Sequence, residues 1–135
     1  MADFSRAIEL DAANPVPYYN RAVTYVKEGE LDRALSDLDR AIALDSSHVP
    51  EAYRLRATIF FNREQYGRAL PEFNRLIELM PKDAVASCQR GLTLGFLKGY
   101  DDAARDLNAS IRLDPTNECV RSIQQIGEKI ENRKI

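Results

Sequence analysis

Residues 50 to 83 read PEAYRLRATIFFNREQYGRALPEFNRLIELMPKD, and the fold turns on the recurrence of this pattern on both sides of the stretch. Residues 15 to 48, PVPYYNRAVTYVKEGELDRALSDLDRAIALDSSH, and residues 84 to 117, AVASCQRGLTLGFLKGYDDAARDLNASIRLDPTN, superimpose on it as blocks of equal length, with residue 49 as the one extra. Position 4 of each block holds Tyr18, Tyr53 or Ser87, position 8 a small residue (Ala22, Ala57, Gly91), and position 11 a large apolar one (Tyr25, Phe60, Leu94). These spacings describe one helix. A turn comes next, marked by Gly29, by Glu64-Gln65 and by Gly99, and then alanine at position 20 (Ala34, Ala69, Ala103). Leu38, Phe73 and Leu107 come four residues later, and Ile42, Ile77 and Ile111 four later again, the i, i+4 stripe of an amphipathic helix. Leu44, Leu79 and Leu113 extend it. Met80-Pro81 and Asp114-Pro115 stop the second helix, because proline lacks the N–H that would continue it.

Three helix pairs in register, with small residues where the helices must approach, make a repeat array. The pattern resembles the tetratricopeptide repeat family, over residues 15 to 117 in full and partial copies at both ends. The resemblance implies an all-α fold, a right-handed superhelical solenoid of antiparallel helix pairs with seven to eight helices. Residues 1–14 read as the second helix of a partial repeat, since Phe4, Ala7, Ile8 and Leu10 precede Asp11 and Asn14-Pro15. The chain is thus expected to open inside a fourth repeat, as a piece of a longer protein would. Complete units are expected at 15–48, 50–83 and 84–117. Residues 118–135 read as a capping helix, with Val120, Ile123, Ile126 and Ile130 on one face.

Composition excludes several classes of function. Nineteen basic against twenty-one acidic residues give a net charge of −2, which draws the chain toward neither nucleic acid nor anionic membranes. No apolar run approaches the ~20 residues that span a bilayer. Cys88 and Cys119 stand 31 residues apart without metal-ligand spacing, so neither a disulfide framework nor a zinc site is expected. Both read as small buried thiols, which favours a reducing, cytoplasmic setting. His48 falls at a turn with no triad partner and reads as solvated. No phosphate loop, metal motif or nucleophile elbow is present, so neither a cofactor nor catalysis is expected. Asn108-Ala109-Ser110 matches a glycosylation acceptor but falls inside a helix.

Two sets of residues are candidates for specific work. Arg21, Arg56 and Arg90 occupy position 7 of the blocks, where the resembled family more often has leucine, and Asp37, Glu72 and Asp106 occupy position 23. A charge near a helix seam must be paired, and a carboxylate meets guanidinium in a two-pronged geometry. Each arginine has two candidate partners: the acid of its own block, or that of the preceding one (Asp3, Asp37, Glu72).

The second set comes from the resemblance, which places the binding surface on the concave face lined by the first helix of each pair. Mapped residue by residue, that face holds Val16, Tyr19, Asn20, Val23, Val26 and Lys27, then Glu51, Arg54, Leu55, Thr58, Phe61 and Asn62, then Val85, Cys88, Gln89, Leu92, Gly95 and Phe96. The eleven candidate contacts among them are Tyr19, Asn20, Val23, Lys27, Arg54, Leu55, Thr58, Asn62, Gln89, Leu92 and Phe96. Half of it is apolar. It suits a peptide or helix of a partner protein whose apolar side chains insert while the polar residues set register. Relatives acting as co-chaperones grip a terminal carboxylate with lysine, asparagine and arginine at fixed positions. Of these only Asn20 is matched, with Glu51, Leu55, Val85 and Gln89 elsewhere, which disfavours such a carboxylate clamp. Self-association through the incomplete first unit is the structural alternative.

Overall fold

The computed structural model describes residues 2–47 and 49–133, with side chains through Gln125. His48, and Ile126 and Ile130 of the cap stripe, therefore lie outside the described residues or side chains. Eight helices succeed one another: α1 (Ala2–Leu10), α2 (Pro15–Lys27), α3 (Leu31–Leu44), α4 (Pro50–Asn62), α5 (Tyr66–Leu79), α6 (Ala84–Phe96), α7 (Tyr100–Leu113) and α8 (Glu118–Arg133). Helices α2 and α3, α4 and α5, and α6 and α7 fold back on each other as hairpins, and each hairpin stacks on the next. The result is an all-α solenoid. Helix α8 lies chiefly against α6.

The same devices begin and end these helices in successive repeats. Position 34 supplies the N-cap. Asn14 Oδ1 accepts the Val16 N–H, Asp83 Oδ1 the Ala86 N–H, and Asn117 Oδ1 those of Cys119 and Val120. The extra residue puts Val49 in this place ahead of α4, which has no side-chain cap and relies on Pro50 in its first turn. Position 15 ends the first helix of each pair in the left-handed region, at Gly29 (φ 78°), Glu64 (φ 61°) and Lys98 (φ 67°). The next N–H then reaches back to the helix in identical fashion, Glu30 to Tyr25, Gln65 to Phe60 and Gly99 to Leu94, each 2.8 Å. In the third turn the left-handed residue is thus Lys98, while Gly99, which marked that turn in the sequence, has an ordinary φ of −83°.

Helix pairs close on their small residues. Ala22 and Ala34, and Ala57 and Ala69, are fully buried, and Leu38, Phe73 and Leu76 fill the space between hairpins. In the third pair a methyl at Gly91 would stand 3.0 Å from Leu107 Cγ and 3.2 Å from the Ala103 carbonyl. Gly95, one turn on, has nothing within 4 Å. Gly91→Ala should therefore destabilise by about 1–3 kcal/mol through overpacking. Gly95→Ala should stabilise by about 0.5–1 kcal/mol, as alanine does in an open helical site. Urea unfolding of the two variants checks the opposite signs, and equal signs would refute the packing account.

Each position-7 arginine meets the acid of its own repeat in two-pronged geometry. Arg21 reaches Asp37 at 2.7 and 2.7 Å, Arg56 reaches Glu72 at 2.7 and 2.8 Å, and Arg90 reaches Asp106 at 2.7 and 2.8 Å. The hydrogen bond to Asp37 raises the Arg21 guanidinium pKa above its ordinary value against the opposing pull of burial, and Asp106 does the same for Arg90. The remaining nitrogen, Nη1, crosses to the second helix of the preceding unit, donating to Ser5 at 3.4 Å, Asp39 at 2.8 Å and Asn74 at 3.3 Å. One side chain thus ties three helices. Glu72→Ala leaves Arg56 half-buried without its main partner and should lower stability by about 2 kcal/mol, below the range for a fully buried pair because water reaches its edge. Replacing both Arg56 and Glu72 by Met should recover more than half of that loss in thermal unfolding.

Candidate functional site

The first helices of the pairs line one face, and the period of the array decides which of their residues meet. Position 5 of one first helix lies against position 2 of the next. Tyr19 and Glu51 share a small cavity with Val16, Val49, Pro50 and Ala52, and burial, then the Glu51 charge, raises the Tyr19 pKa above its ordinary value. Cys88 and Cys119 stand in the same relation, with α8 in the place of a further first helix. Their Cα atoms are 6.2 Å apart and the two sulfurs are bonded.

This corrects the expectation of two separate thiols. A separation of 31 residues is far in sequence but close to one repeat period, which places the two cysteines side by side. Cys88 is fully buried, so it presents no groove surface either. Among the described residues no cysteine is free and no acidic, histidine and cysteine cluster could hold a metal.

Above the bond lies a cavity of about 530 Å³. Thr58, Phe61 and Asn62 of α4 form one wall, Val85, Gln89, Leu92 and Phe96 of α6 another, and Glu118, Cys119, Ser122 and Ile123 of α8 a third, over Phe73 of α5. Five of the eleven groove residues read from sequence thus come together: Thr58, Asn62, Gln89, Leu92 and Phe96. Phe96 is 58% exposed, and its ring stacks on Tyr66 at 4.5 Å and meets Phe61 edge-on at 5.7 Å. Edge-on and offset rings hold one another in place, so Phe96 presents a rigid apolar surface at little entropic cost.

The other groove candidates divide. Leu55 packs against the core cluster of Ala22, Leu38 and Ile59, as does part of Tyr19. Arg54 is not a free cation: Nε donates to Glu51 at 2.9 Å, Nη2 to the Asp83 carboxylate and Nη1 to Gln89 at 3.4 Å. Burial is the largest influence on its pKa and pulls it down, but the bonds to Glu51 and Asp83 outweigh it and leave the value raised. Asn20 and Val23 are half-buried and Lys27 is exposed, all apart from the large cavity. The serine of the Asn108-Ala109-Ser110 match is fully buried and donates to the Ala84 carbonyl at 2.6 Å. Sequence reasoning missed the α8 wall, although a signal for it was present: cysteine at position 5 of the third unit and again at position 2 of the next first-helix register.

The disulfide closes a loop of about 30 residues, which in the chain-entropy account stabilises the fold by about 3–4 kcal/mol. Calorimetry with and without a phosphine reductant should show a loss of that size, and an unchanged melting temperature would contradict the bond.

Comparison with known proteins places these features in a family. A sequence profile described as tetratricopeptide repeat matches residues 19–84. Human tetratricopeptide repeat protein 13 is 33% identical over 99 residues, covering 71% of this chain and 11% of the human protein. Rat serine/threonine-protein phosphatase 5 is 32% identical over 80 residues, covering 59% of this chain and 16% of the phosphatase. The chain therefore spans a small part of the curated relatives it matches. Among solved structures, a crystal structure of MamA superimposes with a TM-score of 0.79 at 23% identity, over 97% of this chain and 75% of that one. The first TPR of Spaghetti (RPAP3), bound to HSP90 peptide SRMEEVD, gives 0.74 at 20% identity, over 90% and 96%.

Proposed function

Since this chain belongs to the tetratricopeptide repeat family, we propose that it is a protein-interaction module that holds a peptide or helical segment of a partner in its concave groove. The observation that carries this reading is the cavity walled by α4, α6 and α8. Its apolar lining includes a half-exposed aromatic ring held rigid by two others, and Asn62 and Gln89 stand beside it to meet a partner's backbone. Apolar anchors in a desolvated pocket supply affinity, and the polar groups around them set orientation. No catalytic role is assigned to these residues, and the chain reads as a scaffold or adaptor.

The occupant differs from the acidic peptide bound by the first TPR of Spaghetti. A carboxylate-rich tail needs unpaired cations, and Arg54 is already held by Glu51 and Asp83. The clamp positions carry Glu51, Leu55, Val85 and Gln89. An uncharged or basic internal segment suits this groove better. The disulfide also favours an oxidising compartment over the reducing one expected from the thiol count.

The test is affinity capture from a lysate with the intact chain, read by mass spectrometry, against the variant Asn62→Ala, Gln89→Ala, Phe96→Ala. These side chains are exposed or half-exposed, so the variant should stay within about 1–2 kcal/mol of the parent's stability. Partner recovery should fall about tenfold or more, as the loss of a central anchor predicts. Full recovery of the same partners would place binding elsewhere. Leu55 and Arg54 are poor choices for this test, because one packs in the core and the other closes an ion-pair network.

A further inference from the structure

Three elements build the large cavity, and only two of them belong to the stacked hairpins. Its third wall comes from α8, whose Glu118, Cys119, Ser122 and Ile123 face Phe61, Leu92 and Phe96 across it. Helix α8 rests on α6, touches α7 less, and has no hairpin partner of its own among the described residues. Its covalent attachment is the bond from Cys119, in the cavity wall, to Cys88, buried in α6.

The charge around the cavity is one-sided. Glu118 is the one ionisable residue among its lining, apart from the bonded Cys119, and no cation pairs with Glu118 among the described residues. Arg54, whose Nη1 donates to the lining residue Gln89, is neutralised by Glu51 and Asp83. An apolar pocket with a lone carboxylate at its edge is complementary to a large apolar side chain with a cation beside it.

We propose that this pocket accepts an aromatic or long aliphatic side chain flanked by lysine or arginine from a partner polypeptide, and that the Cys88–Cys119 disulfide, by holding α8 in place, decides whether the pocket exists. This rests on the groove reading above and adds the partner's chemistry and a redox gate. Opening the gate takes a dithiol reductant. Its thiolate attacks the sulfur of Cys119, a half-buried residue in the cavity wall, whereas Cys88 is enclosed, and the Cys88 thiolate leaves and takes up a proton. The second thiol of the reductant then closes on the mixed disulfide and frees Cys119, so the reductant is oxidised to its own disulfide and the protein holds two thiols.

The probe is a displayed library of random 12-residue peptides panned against the oxidised chain. The most enriched peptide is then synthesised with a fluorescent label and titrated by anisotropy. Enriched sequences should place Phe, Tyr, Leu or Met within two residues of Lys or Arg, and enrichment of acidic sequences would overturn the assigned chemistry. The selected peptide should bind the dithiothreitol-reduced chain at least tenfold more weakly, and reoxidation should restore its affinity. Glu118→Gln in the oxidised chain should weaken it about threefold or more, and less at high salt.

Circular dichroism records whether the reduced chain keeps its helices. If it does not, Ile123→Ser in the oxidised chain decides, since it removes the apolar part of the α8 wall and leaves the bond intact. A tenfold loss supports the third wall, and unchanged affinity overturns it. Equal binding by the oxidised chain and the folded reduced chain would defeat the gate alone. Peptide binding that is indifferent to Phe96→Ala would instead defeat the groove reading on which the gate rests.

Discussion

The array depends on one bond repeated three times, the two-pronged contact from the arginine at position 7 to the carboxylate at position 23. An arginine in a helix seam is unfavourable unless its donors are met, and a planar guanidinium needs a planar acceptor held at the right distance and angle. Asp37, Glu72 and Asp106 provide it at 2.7–2.8 Å, so the two helices of each pair cannot slide or rotate far without breaking both prongs. The third donor then fixes the preceding unit through Ser5, Asp39 and Asn74. In a repeat protein, stability divides into terms within units and terms between them. Here one side chain contributes to both, and since none of these residues lines the large cavity, the geometry of the groove is set from outside it.

Much of this was legible in the sequence, because the features that build the hairpins are local and periodic. Small residues at position 8, alanines at position 20, the i, i+4 stripe and the arginine–acid spacing are read from a single strand of letters, and helix ends are marked by residues such as Asn14, Pro50 and Pro81. The partner of each arginine was not legible. Asp37 and Asp3 stand equally well spaced from Arg21 when the handedness of packing is unspecified, and only the stacked hairpins decide for Asp37. Ser5, Asp39 and Asn74, which share position 25 two residues after the acid, escaped notice for a related reason. Ser, Asp and Asn share no single identity, only the capacity to accept a hydrogen bond from the same place.

The cysteines failed for a different physical reason. Disulfide arithmetic on sequence looks for many cysteines at short spacings, whereas here two cysteines are neighbours because the solenoid repeats. Position 5 and the next position 2 are adjacent at Tyr19 and Glu51 too, where nothing chemical marks the contact. Once the period is known, a separation just under it becomes a statement about distance. Similarly, Arg54 reads as a groove cation from its register, and it takes three dimensions to see Glu51 and Asp83 converge on it.

These two corrections bear on recognition together. Neutralising Arg54 removes the positive field that would draw an acidic tail along the groove, and placing Glu118 beside an apolar cavity leaves a negative one at its far end. Long-range attraction selects partners before contact, and buried apolar area retains them afterwards. On the proposed groove reading, a large cavity whose one free charge is the Glu118 carboxylate, with Arg54 spent on internal pairs, would disfavour carboxylate-rich peptides at the encounter step. Retention would then fall to Phe61, Leu92, Phe96 and Ile123, which line that cavity. The last of these sits on the one wall that none of the three arginine bonds fixes, so the array has ion-paired seams where its helices pair and a single disulfide tether at the α8 wall of the cavity.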